Sequence, residues 1–93
     1  MALIHVNATT ATSATLLFTL PAGLPYTAVQ ICNNHTAVLY LGDESTTTSG
    51  ATRGSQVAAN ATQQVWMHAG EKLWGVTAAA SAAGAISIIY SGI

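Results

Sequence analysis

Three kinds of side chain here could do chemistry: the histidines, a pair of adjacent carboxylates and a single cysteine. His5, His35 and His68 are widely separated. Zinc ligands usually come in short spacings, so these three would meet a metal only if the fold or a threefold axis gathered them. Strand-surface or turn histidines are the expectation. Asp43 and Glu44 are neighbours in sequence. Hydrolysis by two carboxylates needs the groups to face one another across a substrate, which adjacent residues rarely do. A solvated loop or an ion pair with another subunit is expected. No G-x-S-x-G turn presents a nucleophile. The chain therefore reads as a non-enzyme, with no metal and no cofactor. Cys32 is the only cysteine, which excludes an intrachain disulfide. Its expected place is a small buried hydrophobe in a strand.

The tryptophans carry a different kind of chemistry. Trp66 and Trp74 flank the short turn at residues 69–72, so a hairpin there would set them on adjacent strands. Exposed, such a pair would stack on sugar rings; buried, it would fill a core with each indole N–H bonded to a carbonyl. A core or subunit-interface position is expected. Three N-x-T triplets, at Asn7, Asn34 and Asn60, match the glycosylation sequon. In a Thr-rich chain with no signal-peptide pattern they read as coincidence.

Short strands must position all of these groups. Residues 1–7 alternate Leu3 and His5 with Ile4 and Val6, a strand with one apolar face. Residues 8–13 are small and Thr-rich, so residues 1–13 can form either a first strand and loop or an extended arm. Residues 14–20 form the next strand, closed by Pro21 and Pro25, because proline cannot donate to a ladder. Residues 26–33 alternate clearly, with Thr27, Val29 and Ile31 on one face and Tyr26, Ala28, Gln30 and Cys32 on the other. Turn-forming Asn33, Asn34, His35 and Thr36 lead into a strand at 37–42, which predicts a hairpin. The polar link 43–54 is expected to cross between sheets, and 55–62 is weakly patterned. Strands follow at 63–68, 73–78 and 85–91, the last with Ile86, Ile88 and Tyr90 facing one way. Residues 79–84 are too short for a self-sustaining helix despite their alanines. Seven or eight short strands separated by turn signals predict one all-β domain, an antiparallel β-sandwich or jelly-roll-like barrel.

The charge content narrows the classes further. Charged residues make up 5% of the chain, against about a quarter in ordinary soluble proteins. They are Arg53, Lys72, Asp43, Glu44 and Glu71, for a net charge of −1. Two basic residues give no footprint for nucleic acid, and no basic amphipathic segment suits a membrane surface. The apolar run at 16–24 lacks a preceding Lys or Arg and is interrupted by Thr19 and Pro21, so it reads as a poor signal peptide and is far too short to span a bilayer. So few charges suit a protein packed against other subunits.

A resemblance enters at residue 29. The succession I-C-N-N-H-T-A-V-L-Y-L-G-D-E-S-T-T-T-S-G, then V-W-M-H-A-G-E-K-L-W-G-V-T-A, then A-I-S-I-I-Y, resembles small structural proteins of tailed bacteriophages. That pattern combines an I-x-N strand end, a V-Y-L-G strand, a Ser/Thr-Gly link, a G-x-x-L-W-x-V hairpin and a closing strand. It is matched by Ile31 and Asn33 and by residues 38–42, 47–50, 70–76 and 86–90; the first 25 residues contribute nothing. One departure is the Val57-Ala58-Ala59-Asn60 stretch, where such proteins often carry Leu-x-x-Gly.

The resemblance implies a virion protein made in the host bacterial cytoplasm: a head decoration or minor capsid protein on a β-sandwich scaffold, commonly trimeric. Such a protein needs no active site. It bridges neighbouring copies of the major capsid protein, and several modest contacts made together give tight binding. From polarity and loop position, subunit contacts are expected at Tyr26, Tyr40, Trp66, Trp74 and Tyr90. Capsid contacts are expected at Leu3, His5, Asp43, Glu44 and Arg53. The alternative is a tail or head-fibre module that recognises host-surface carbohydrate.

Overall fold

The computed structural model describes residues 3–80 and 84–92. Where the sequence alternates apolar and polar residues, strands form: β1 Leu3–Ala8, β2 Thr15–Thr19, β3 Thr27–Asn33, β4 Leu39–Gly42, β5 Ser55–Val57, β6 Thr62–Met67, β7 Lys72–Thr77 and β8 Ile86–Ser91. The only helical piece among the described residues is a 3-10 turn at Gly50–Thr52. The protein is all-β. Two four-stranded sheets have the orders β1-β8-β3-β6 (sheet A) and β2-β7-β4-β5 (sheet B).

The antiparallel pairs β1 with β8, β2 with β7, β3 with β6 and β4 with β5 nest inside one another. The chain is thus one long hairpin, tipped by the β4–β5 loop and wrapped so that β3 also pairs with β8 and β4 with β7. This strand order is that of a jelly roll. It corrects three local expectations. Strands β3 and β4 lie on opposite sheets rather than in a hairpin, as do β6 and β7. The link 43–54, expected to cross between sheets, joins neighbours within sheet B.

The core lies between the sheets. Val29 and Ile31 of β3 and Ile86, Ile88 and Tyr90 of β8 meet Phe18, Leu39, Leu41 and Leu73 of sheet B. Phe18 and Tyr90 touch across the core, ring centroids 5.0 Å apart and planes tilted by 52°. Asn33, wholly buried at the end of β3, links the layers. Its amide Nδ2 donates to the Ala37 carbonyl at 2.9 Å and to the Val57 carbonyl at 3.0 Å, and its Oδ1 accepts from the His35 N–H at 3.0 Å. A buried amide satisfied on both sides fixes one packing of the strand ends.

Residues 3–13, for which an arm is one expectation, belong to the sandwich over their described length. Leu3–Ala8 is the edge strand of sheet A, paired with β8. Thr10 is buried, its hydroxyl 2.9 Å from that of Thr77, and the Thr77 N–H donates to the Ala11 carbonyl. Met1, Ala2 and residues 81–83 of the expected 79–84 loop lie outside the described residues.

Candidate interaction surface

The alternation that buries Val29 and Ile31 turns Ala28, Gln30 and Cys32 outward, and every strand of sheet A repeats the pattern. Two rows cross the outer face: His5, Ile89, Gln30 and Gln64 in one, Asn7, Ser87, Cys32 and Thr62 in the next. No Asp, Glu, Lys or Arg lies on any strand of sheet A. Charge is confined to Lys72 of β7, Glu71 in the turn before it, and Asp43, Glu44 and Arg53 in the β4–β5 loop.

Large apolar side chains occupy both ends of this uncharged face. At the β1 edge, Leu3 is 74% exposed and Ile89 is exposed near it, while Ile4, in register with the core residue Tyr90, lies on the other side of the strand. At the opposite edge, Trp66 and Tyr26 are 53% and 54% exposed. The Tyr26 ring lies 5.2 Å from the Trp66 indole at 27° and 4.4 Å from the His68 imidazole at 30°. Three rings therefore stack where β3 and β6 meet. Beside them the Gln30 amide Nε2 donates to Gln64 Oε1 at 3.3 Å.

The side chains expected at subunit contacts separate into three places. Tyr26 and Trp66 come together on sheet A. Tyr40 and Trp74 are half-buried on sheet B, Tyr40 opposite Val76 and Trp74 between Leu16 and Gly42. The two tryptophans therefore do not face each other across a hairpin. Tyr90 is in the core at 5% exposure and drops out of any surface set, since its strand turns it inward with Ile86 and Ile88.

The expected capsid-contact residues also divide. Leu3 and His5 sit on the β1 edge of sheet A, whereas Asp43, Glu44 and Arg53 belong to the sheet B hairpin tip. That tip is tightly built. The Ser45 hydroxyl and N–H donate to Asp43 Oδ1 at 2.7 and 2.9 Å, and these bonds hold the Asp43 carboxyl below its usual pKa. Thr46 is buried between Gly42 and Gly54, where there is no space for side chains. A β-carbon on Gly54 would stand 2.4 Å from the Leu41 carbonyl oxygen, and one on Gly42 would stand 2.1 Å from Thr46 Oγ1. A shallow depression of about 360 Å³ lies over the tip, with Asp43 and Arg53 in its lining.

Cys32 departs from expectation: it is half-buried on the outer face, its thiol donating to Asn34 Oδ1 at 3.3 Å. Among the described residues, no group of three or more His, Cys, Asp and Glu side chains converges as a metal site would require. His35 is occupied by the Ala79 carbonyl, 3.1 Å from its Nε2. The partners that sequence reading missed, His68, Gln30 and Gln64, sit at outward positions. Alternation alone marks Gln30, but its neighbours follow only from the β3–β6 register. Compared with known proteins, the chain matches no family model, no curated protein and no solved structure.

Proposed function

We propose that this chain is a structural virion protein, a capsid decoration or minor capsid protein. It binds the outer shell as an oligomer, a trimer in the arrangement the sequence resemblance implies, and bridges neighbouring major capsid subunits. The observation that carries the reading is the β1 side of sheet A. Leu3 and Ile89 make an exposed apolar patch there, on a face whose strands carry no Asp, Glu, Lys or Arg.

The edges of the sheets support the same reading. Free strands are normally guarded by shortness, bulges, proline or charge, because a bare edge recruits other chains. Sheet B follows this rule: β5 has three residues, and β2 shifts register between Leu16 and Phe18. Sheet A does not. Its edge strands β1 and β6 have six residues each, with no proline, no charge and no register shift. Uncharged, partly apolar surface is the composition of interface cores. Jelly rolls recur in viral capsid domains, although a fold alone does not specify function.

Electron cryo-microscopy of the particle carrying this chain tests the reading. Density for the protein on the shell, capping places where capsid subunits meet, with β1 and β8 turned towards a neighbour, is the expected result. Density confined to a tail, or a shell contact that leaves the β1 edge bare, would overturn it.

A further inference from the structure

The aromatic end of sheet A lies three strands from the β1 patch, about 14 Å at the usual strand spacing, and has a different character. Trp66 keeps more than half of its surface exposed although Tyr26 covers part of it, and Tyr26 is itself braced by His68. The stack fixes the indole on a rigid strand. Directly opposite Trp66 on β3 is Ala28, whose side chain is a single methyl group. The next row holds the Gln30–Gln64 pair. Their mutual hydrogen bond uses one N–H and the Gln64 carbonyl, leaving the Gln64 amide N–H groups and the Gln30 carbonyl available to a ligand.

From this juxtaposition we infer that Trp66, Tyr26 and the Gln30–Gln64 pair form a binding site for a pyranose ring of a neutral glycan. A pyranose is apolar on one face, where its axial C–H groups carry slight positive charge, and polar around its rim. The face suits the negative π-surface of an indole. The rim hydroxyls suit amides that both donate and accept. Other occupants fit less well. A nucleotide would stack on the indole, but its phosphate would find no Lys or Arg on the sheet. An anionic sugar meets the same lack. A protein partner burying this end would desolvate two glutamine amides and would need matching polar groups for each.

Nuclear magnetic resonance titration of the full chain tests the site. The probes are methyl glycosides of neutral hexoses and N-acetylhexosamines, with a sialoside and a uronoside as acidic counterparts. At least one neutral glycoside is expected to shift the Trp66 indole N–H and the Gln30 and Gln64 side-chain amides in a saturable way, leaving Trp74 on sheet B unmoved. Trp66→Ala is expected to weaken that binding by about tenfold or more, the loss of a principal stacking contact. Gln64→Ala, which leaves the ring stack in place, is expected to weaken it by a smaller factor. Amide spectra that are otherwise unchanged would establish that both variants remain folded. Three results would overturn the proposal: no neutral glycoside moves Trp66, only acidic ones do, or the Trp66 signals shift with protein concentration alone, which would mark the face as a contact between copies.

Discussion

Asn60 donates its backbone N–H to the Asn33 carbonyl at 2.7 Å while holding a left-handed backbone, φ 62°. It ends the Val57-Ala58-Ala59-Asn60 stretch that follows β5. Asparagine is among the few residues with a side chain that tolerate this conformation. The turn is thereby completed, and the chain re-enters sheet A as β6. Asn60→Gly is expected to leave the thermal midpoint close to wild type. Asn60→Val should lower stability by about 1–3 kcal/mol, from left-handed strain on a β-branched residue. Equal midpoints for the two variants in denaturant unfolding would count against a left-handed turn here.

The Asn33 side chain itself gives a stronger test. Replacing it with leucine keeps much of the volume but removes the donor to the Ala37 and Val57 carbonyls and the acceptor of the His35 N–H. Each buried group left without a partner costs about 1–3 kcal/mol. Only the Val57 bond is fully buried and the other two are part-buried, so Asn33→Leu is expected to destabilise the domain by about 2–5 kcal/mol. Urea unfolding measures it, and a loss below 1 kcal/mol (about the net value of one ordinary hydrogen bond) would show that the amide does not join the sheets.

Much of this fold is legible in the residues one strand at a time. Alternation marks the inward positions of β3 and β8 correctly, and turn residues mark the connections. The partners are another matter. Asn33 to Thr36 and Ala69 to Lys72 carry ordinary hairpin turn chemistry, yet each connection crosses between sheets. Whether two strands separated by a tight polar turn pair or pack face to face depends on apolar burial against strands far away in sequence. No local signal encodes that choice. Two side chains follow strand parity rather than residue type. Cys32 shares the outward parity of Gln30, and Tyr90 shares the inward parity of Ile88; general habits of cysteine and tyrosine override that parity only when burial demands it. The Tyr26, Trp66 and His68 stack was not readable, because it rests on β3–β6 register.

Tyr90 and Trp66 offer a contrast that separates core from surface. Truncating a buried aromatic removes its packing and leaves a cavity, so Tyr90→Ala should cost about 3–5 kcal/mol. Trp66→Ala removes a side chain whose larger part already meets water. Its effect on stability is expected to stay within about 1 kcal/mol, in the range of surface substitutions plus one lost aromatic contact. Thermal unfolding of the two variants gives the comparison. A reversed order would place Trp66, not Tyr90, in the core.

Asp43 supplies a pH test at the hairpin tip. The Ser45 hydroxyl bond, followed by its N–H bond, favours the charged carboxylate and lowers the folded-state pKa. A group with a lowered folded pKa contributes stability above its unfolded pKa and loses it as pH falls through the folded value. The order at residues 43–46 should therefore persist at neutral pH and weaken only in acid, below the usual carboxylate range. Ser45→Ala is expected to move the Asp43 titration, followed by carboxyl carbon resonance, upwards towards the ordinary aspartate value. An unmoved titration would mean that Ser45 does not hold the carboxylate.

The bare β1 edge leads to the last prediction. A strand of six residues with neither proline nor charge presents N–H and C=O groups that a second chain can use, and lysine is the residue by which natural sheets discourage such pairing. Leu3 and His5 project from the outer face of that strand, so lysine at both positions would surround the edge with charge without entering the core. Sedimentation velocity is expected to show the wild-type chain associating with rising concentration, and the Leu3→Lys, His5→Lys double variant remaining smaller at the same concentration. Circular dichroism should be unchanged, because neither side chain is buried. A wild-type chain that stays monomeric, or a double variant that associates equally well, would remove the β1 edge from the assembly surface and leave the shell contact to the charged hairpin tip at Asp43, Glu44 and Arg53.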